Sequence, residues 1–254
     1  MKDILYYIAR MKLSDYPILC INLADRKDRW EYMEKQFISL GIRKNVYRFE
    51  AMDGRKLDET DLQDMKRQFR ILPTVRPERL IGRIGCYLSH MAALRYALEQ
   101  GWTRVLILED DCAWFEGADG HEFEVPHDTD VFYLGGLFWR QKPEPQLQTG
   151  KWVHIQRNHL KVACCLAYGF QTREAMERVY DTLMSAPPST IDLMYINHIQ
   201  KLGHCYILNP VLCRQNHTFT SDVSSIGGPP PRFVKKPDAY CYTVQKNERL
   251  LLSR

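Results

Sequence analysis

Apolar residues recur along the chain at two periods, and the switches between them divide it into strands and helices. Tyr16 to Leu23 (YPILCINL) is apolar almost without interruption and has a proline near its start, which predicts a buried strand. Trp30, Met33, Phe37 and Leu40 then fall three or four residues apart until Gly41, which predicts a helix with Asp25 as its N-cap. A second strand is expected over Val46 to Ala51, with Asp53-Gly54 as the turn behind it. Asp58 to Phe69 has the pattern of a polar amphipathic helix. Leu72 to Pro77 contains two prolines and is expected to be an extended connector. Helical spacing returns from Gly85 to Glu99 and stops at Gly101.

The next strand, Arg104-Val-Leu-Ile-Leu-Glu-Asp-Asp111, runs four apolar residues straight into three acids. Asp130 to Gly136 and Val162 to Phe170 are further strands, with residues 141–150 between them as a hairpin or an excursion over one face. Thr172 caps a helix through Met184 whose buried side carries Met176, Val179, Tyr180 and Leu183. Another helix starts near Thr190 and runs past Asp192, Met194, Ile196 and Ile199 to Gly203, and Cys205 to Leu208 is the last strand. The Gly-Gly-Pro-Pro-Pro-Arg segment beyond Gly227 excludes regular structure, so residues 228–254 are expected to form a tail or a wrapping arm after a domain of residues 1–227. Strands alternating with helices imply an α/β fold, a central, mainly parallel sheet flanked by helices.

At 254 residues the chain has room for one large α/β domain or two small ones, and 45% apolar with 26% charged residues is the balance of a globular protein. The net charge of +4 is spread among interleaved acids and bases and is too mild to argue for nucleic acid, which is not expected as a partner. No apolar run approaches the roughly 18 residues that cross a bilayer, and Asp3, Arg10, Lys12 and Asp15 interrupt the start of the chain. Cytoplasmic residence is therefore expected, with peripheral membrane contact left open. Eight cysteines without a Cys-x-x-Cys pair suit reduced, packed thiols.

Three acids closing a buried strand call for a cation. At the carboxyl edge of an α/β sheet that is most often a divalent metal carrying a phosphorylated ligand, and the alternative is a solvated turn. A two-metal nuclease is disfavoured, because adjacent acids on one strand alternate in direction and do not converge on two ions.

Ile21-Asn-Leu-Ala-Asp-Arg-Lys-Asp-Arg29, Ala51-Met-Asp-Gly54, Gly85-Cys-Tyr-Leu-Ser-His90 and Leu106-Ile-Leu-Glu-Asp-Asp111, in that order, resemble glycosyltransferase family 25, the lipopolysaccharide-type and collagen galactosyltransferase family. Tyr133-Leu134-Gly135, Ala167-Tyr168, Ile191-Asp192, Gln215 and Ser221-Asp222 fit the same pattern, so the resemblance spans roughly residues 17 to 225. One departure is Arg83, near where many members carry an acid. It bears on donor choice or catalysis, and with the unusual tail it motivates the alternative of an inactive nucleotide-sugar-binding or scaffolding module.

The resemblance implies a GT-A-like fold, a nucleoside-diphosphate sugar donor, UDP-linked by preference, and transfer of galactose or glucose with inversion to a hydroxyl on a glycan, lipid-linked glycan or protein. A Mn²⁺ or Mg²⁺ would then stabilise the departing diphosphate. Asp111 is the first choice of metal ligand, Asp110 either reaches the ribose or shares the metal, and Glu109 faces a basic neighbour. Arg26 and Arg29 either grip phosphate, pair with acids or line a solvated helix face. Asn22 and Leu23 suit the nucleoside, and Asp53 either binds base or ribose or only makes a turn.

Ser89 and His90 are adjacent on a helix, which excludes a hydrolase dyad and leaves them to the donor side. His90 either meets phosphate or packs against the acids. Asp192 is the first candidate for general base, against the plain reading of a first-turn acid favoured by the helix dipole. Asp222 is the second candidate or completes the metal or donor site, and His217 is a late metal ligand or phosphate contact. Trp114, Phe115, Trp139 and Trp152 either stack on sugars or pack inside.

Overall fold

The first apolar run forms β1 (Ile18–Asn22), buried at every residue, in a computed structural model that describes residues 10–70, 77–138, 151–220 and 222–223. The connector at 72–76, the segment 141–150, Trp139, Ser221 and the arm at 228–254 lie outside the described residues.

Helix α1 (Lys27–Ser39) follows β1. Arg26 takes the N-cap position without a side-chain cap, so the expectation for Asp25 is corrected: Asp25 is exposed and lies 3.4 Å from Lys56. Gly41 (φ +68°) ends the helix, with Ile42 N–H donating to Phe37 O and Gly41 N–H to Ile38 O, the paired bonds of a left-handed C-cap. β2 (Val46–Glu50) and α2 (Glu59–Gln68), capped by Asp58, fall where expected. Helix α3 is longer than its pattern indicated: it spans Pro77–Glu99, because proline at the first helical position gives up no hydrogen bond.

β3 (Val105–Glu109), β4 (Cys112–Trp114), β5 (Val131–Phe138), β6 (Lys151–His154) and β7 (Val162–Phe170) come next. Helix α4 (Arg173–Ser185) is capped by Thr172, whose hydroxyl accepts from Ala175 N–H. α5 (Ile191–Met194) continues as a π turn, Tyr195–Ile199, and a 3-10 turn that ends at Gly203. β8 (Cys205–Asn209) and β9 (Cys213–Gln215) complete the described elements.

The main sheet path is β2-β1-β3-β7-β5-β8-β6. β2, β1, β3, β5 and β8 point one way, while β7 and β6 oppose them. Alternation along β1 and β3 serves two cores. Leu19, Ile21, Val105 and Ile107 pack with α3, α4 and α5, and Ile18, Cys20, Leu106 and Leu108 pack with Met33 and Phe37 of α1. Both faces are covered, which is why these strands are continuous apolar runs. Trp114 and Phe115 are core residues, and Trp152 packs against the α1 side, so the packing alternative holds for these three.

The chain leaves β1 toward β2 on one side and returns to β3 on the other. A crevice outside the carboxyl ends of β1 and β3 is the place such a reversal opens for a ligand.

Candidate active site

Asn22 and Glu109 close the two strands at this reversal, and the acids beyond Glu109 are held by residues of β1, α1 and β9. Asp110 accepts from Asn22 Nδ2 at 2.6 Å and from the Arg29 guanidinium at 2.5 Å. Asn22 also accepts from Arg48 Nε at 2.8 Å, so its amide is committed beneath the crevice. Asp111 accepts from Gln215 Nε2 at 3.0 Å and lies 3.8 Å from Arg29, while its Oδ1 is buried with no hydrogen-bond partner among the described residues. Alternation sends Glu109 to the α3 side instead, where its carboxylate meets His90 Nε2 at 3.3 Å.

Burial pushes the Asp111 carboxyl up to about 7, helped by Glu109 and opposed by Arg29 and the Gln215 bond. Burial, then Asp192 and Asp110, push Glu109 up to about 8 against the pull of Arg29. Glu109 keeps 25% of its side chain exposed, so water relieves part of this strain, whereas Asp111 keeps only 9%. Asp110 is also raised by burial, against the opposing pull of Arg29 and Asn22. Oxygen donors in excess of cationic partners, with Asp111 Oδ1 lacking one among the described residues, make a set that could hold a hard divalent ion.

Arg29 is buried rather than on a solvated face. Besides Asp110, it donates to Thr220 O at 2.8 Å and lies 3.4 Å from Asp222. Arg26 pairs with Asp28 at 2.9 Å and with Asp222, and both guanidiniums lie over the Phe219 ring. The chain after β9 therefore crosses the acids. Asn216 N–H donates to Asp111 O at 2.7 Å, and at Asp222 and Val223 the backbone comes so close to Gly82 of α3 that an added Cβ there would lie 3.1 Å from it. Asp222 thus sits with the two arginines, whereas His217 is exposed beside Arg214, whose charge, after burial, lowers its pKa. No described contact joins His217 to Asp111.

Beside this cluster, a cavity of about 350 Å³ is lined by Leu23, Ala24, Asp25, Glu50, Ala51, Met52, Asp53, Lys56 and Leu57. Asp53 caps the 54–56 turn through Arg55 N–H and grips the Arg55 guanidinium at 2.7 Å. The cavity wall is pinned to α3 by close approach: a Cβ on Gly85 would stand 2.6 Å from Met52 O and one on Gly54 2.2 Å from Ile81 O. Ser89 is buried; it accepts from Met52 N–H at 2.8 Å and donates to Gly85 O at 2.6 Å, so it holds this wall and is enclosed behind it.

On the α3 side, His90 bonds Tyr168 OH through Nδ1 at 2.9 Å and packs against the acidic strand end. Burial pushes its pKa down to about 4 although Asp192 pulls the other way. Asp192 has one oxygen engaged: its Oδ1 accepts from Cys165 N–H at 2.9 Å across to β7. Arg83, half-buried, feels the Asp192 carboxylate as its favourable neighbour and Arg79 as its unfavourable one, with burial lowering its pKa most. Arg48, Phe219 and Cys86 were not singled out in the sequence, although Cys86 and His90 stand four apart on a helix and so share a face.

Residues 15–134 match the family model described as glycosyltransferase family 25 (LPS biosynthesis protein). A glycosyltransferase 25 family member of Anopheles gambiae is 36% identical over 110 residues, covering 41% of this chain and 18% of that relative. One of Drosophila pseudoobscura pseudoobscura is 35% identical over 147 residues, covering 54% and 23%. Procollagen galactosyltransferase 2 of Mus musculus is 32% identical over 104 residues, covering 39% and 16%. The chain spans about a fifth of the length of the curated relatives it matches. The crystal structure of a glycosyltransferase involved in the glycosylation of the major capsid of PBCV-1 superposes with a TM-score of 0.43 at 11% identity, over 81% of this chain and 93% of that one.

Proposed function

We propose, on the match of residues 15–134 to the family model of glycosyltransferase family 25, that the chain moves a hexose, galactose or glucose, from a nucleoside diphosphate to a hydroxyl on a glycan, lipid-linked glycan or protein, with inversion. The observation that carries this reading is the meeting of Asp110, Asp111, Arg26 and Arg29 where β1 and β3 end, next in the chain to Leu23, Ala24 and Asp25 of the cavity wall. The cavity takes the nucleoside, UDP by preference, against Leu23 and the 51–53 wall, with Asp53 and Glu50 as acceptors for ribose or base N–H and O–H groups. Arg26 and Arg29 face the diphosphate and exchange Asp222 for phosphate oxygens.

Asp111, whose Oδ1 has no partner among the described residues, would hold a Mn²⁺ or Mg²⁺, and such an ion would supply charge neutralisation for the departing diphosphate. Asp110, saturated by Asn22 and Arg29, fixes that arginine. His217 stays outside the ligand set because it lies beside Arg214.

Asp192 is the base. One of its oxygens is spent on Cys165 N–H, and the other takes the proton of the acceptor hydroxyl as that oxygen attacks the anomeric carbon and the diphosphate leaves with the bonding electrons. Arg83 keeps the Asp192 carboxylate company, a role that suits this departure from the family pattern.

No described helix is long and apolar enough to cross a membrane. The seven described cysteines form no disulfide among themselves, in keeping with the reducing, cytoplasmic setting proposed here. The deciding experiment is a panel of nucleotide sugars assayed for donor hydrolysis with and without Mn²⁺, because hydrolysis needs no acceptor. Ion-dependent turnover of one hexose donor is expected; binding without turnover of any donor leaves the inactive module, and neither binding nor turnover overturns the reading.

A further inference from the structure

Cys86, His90 and Glu109 bring a thiol, an imidazole and a carboxylate together on the α3 side of β3, with ligand atoms all within 4.8 Å of one another. His90 Nε2 stands 3.3 Å from Glu109 Oε1 and Cys86 Sγ stands 4.0 Å from the same oxygen. A tetrahedral ion with bonds of about 2.0–2.3 Å sets its ligand atoms about 3.3–3.7 Å apart, so a contraction of at most about 1.5 Å completes three corners. Helical geometry supplies two of them: Cys86 and His90 are one turn apart on α3, and the strand end supplies the third.

His90 is also oriented as a ligand requires. Its Nδ1 is paired with Tyr168 OH at 2.9 Å, the rings stack at 5.8 Å, and Nε2 is thereby directed at Glu109. Such an outer hydrogen bond sets the tautomer and ring plane of metal-binding histidines. His90 itself is buried, while Cys86 and Glu109 are part-exposed, so a fourth position opens outward.

The geometry points to a second cation site, built from Cys86, His90 and Glu109, that takes a borderline-soft divalent ion of the Zn²⁺ type and leaves one coordination position open. It is chemically distinct from the all-oxygen site at Asp111, since a thiolate and an imidazole select Zn²⁺ over Mg²⁺. It stands whether or not the chain transfers sugar, because its readout is the ion itself.

Co²⁺, the spectroscopic stand-in for Zn²⁺, tests it in the reduced, metal-free full chain. One equivalent is expected to give intense four-coordinate d–d bands and a thiolate-to-Co²⁺ charge-transfer band. Zn²⁺ abolishes both, and a large excess of Mg²⁺ abolishes neither. Cys86→Ser, at a part-exposed position, removes the charge-transfer band. Tyr168→Phe keeps the band but weakens Co²⁺ binding by about 10–100-fold, the usual cost of losing such an outer partner. No stoichiometric spectrum with the unaltered chain, or a charge-transfer band that survives in Cys86→Ser, overturns the assignment.

Discussion

Replacing Arg29 with methionine tests whether this arginine is the counter-charge that lets the acids at the sheet edge be buried. Methionine keeps most of the side-chain volume, so the loss is chiefly electrostatic. Breaking a buried ion pair from one side costs about 3–5 kcal/mol. The position within that range follows from what each partner retains. Asp110 keeps the Asn22 bond at 2.6 Å, Asp111 keeps Gln215 at 3.0 Å and Asp222 keeps Arg26, so no carboxylate is left bare. The lower end, about 3 kcal/mol, is expected, a large share of the roughly 5–15 kcal/mol that holds a domain folded. Urea unfolding at constant m-value measures it, and the melting temperature should fall by about 6–12 °C at about 2–4 °C per kcal/mol. Arg29→Met combined with Asp110→Asn should recover part of the loss, because the stranded charge goes with its partner. A loss under about 1 kcal/mol, the range of a solvent-screened surface pair, would refute the reasoning.

Asp111→Asn should stabilise the metal-free protein by about 1–3 kcal/mol, since a buried charged acceptor without a partner is removed. The carboxyl's folded value of about 7 lies above its ordinary 3.8, so the wild type loses stability as pH rises between the two. The variant's gain is therefore largest above pH 7 and fades toward pH 4; urea unfolding that finds the gain growing on acidification contradicts this. Asp192→Asn keeps an oxygen to accept from Cys165 N–H, so the fold and donor affinity should hold while transfer falls about 10²–10⁴-fold. Unchanged kcat removes Asp192 from the chemistry. Gly85→Ala gains about 1 kcal/mol of helix propensity, but its Cβ meets Met52 O at 2.6 Å and Gly54 N at 2.8 Å. Overpacking against backbone costs about 1–3 kcal/mol, so calorimetry should find a net loss together with weaker donor binding, and a more stable variant would show that the 52–54 wall yields.

The strands most legible in the sequence are those buried on both faces. β1 and β3 are covered by α1 on one side and α3 on the other, which erases alternation and leaves an apolar run. β4 and β9 have three residues each, too few for either period to register. β7 was visible as a run, but its antiparallel place between β3 and β5 was not, because a run does not name its neighbours. The acid triplet marked the site for the same reason it stands out in the structure: carboxylates closing an apolar strand need partners. What the triplet lacked was its cover. The burial of Arg29 depends on Thr220 and Asp222, some 190 residues away, and no local pattern carries that contact. Ser89 shows the converse, a motif residue that holds the 52–54 wall in place from behind.

The end of β3 and the turn after it also separate two kinds of cation chemistry within three residues. Asp110 and Asp111 turn toward α1, where their partners are a guanidinium, two amides and backbone, all hard groups. Glu109 turns toward α3, where it meets imidazole and thiol. If the strand end sorts ions in this way, Glu109→Gln should abolish the Co²⁺ charge-transfer spectrum while leaving the Mn²⁺-induced rise in melting temperature intact. Asp111→Asn should do the reverse. Linkage sets the size of the signal: an ion at about 100 times its Kd stabilises the fold by about 2.7 kcal/mol, which for a chain of this length is a shift of about 5–11 °C. Loss of both signals in either variant would mean that the three carboxylates act as one site, and the division along the strand would fall with it.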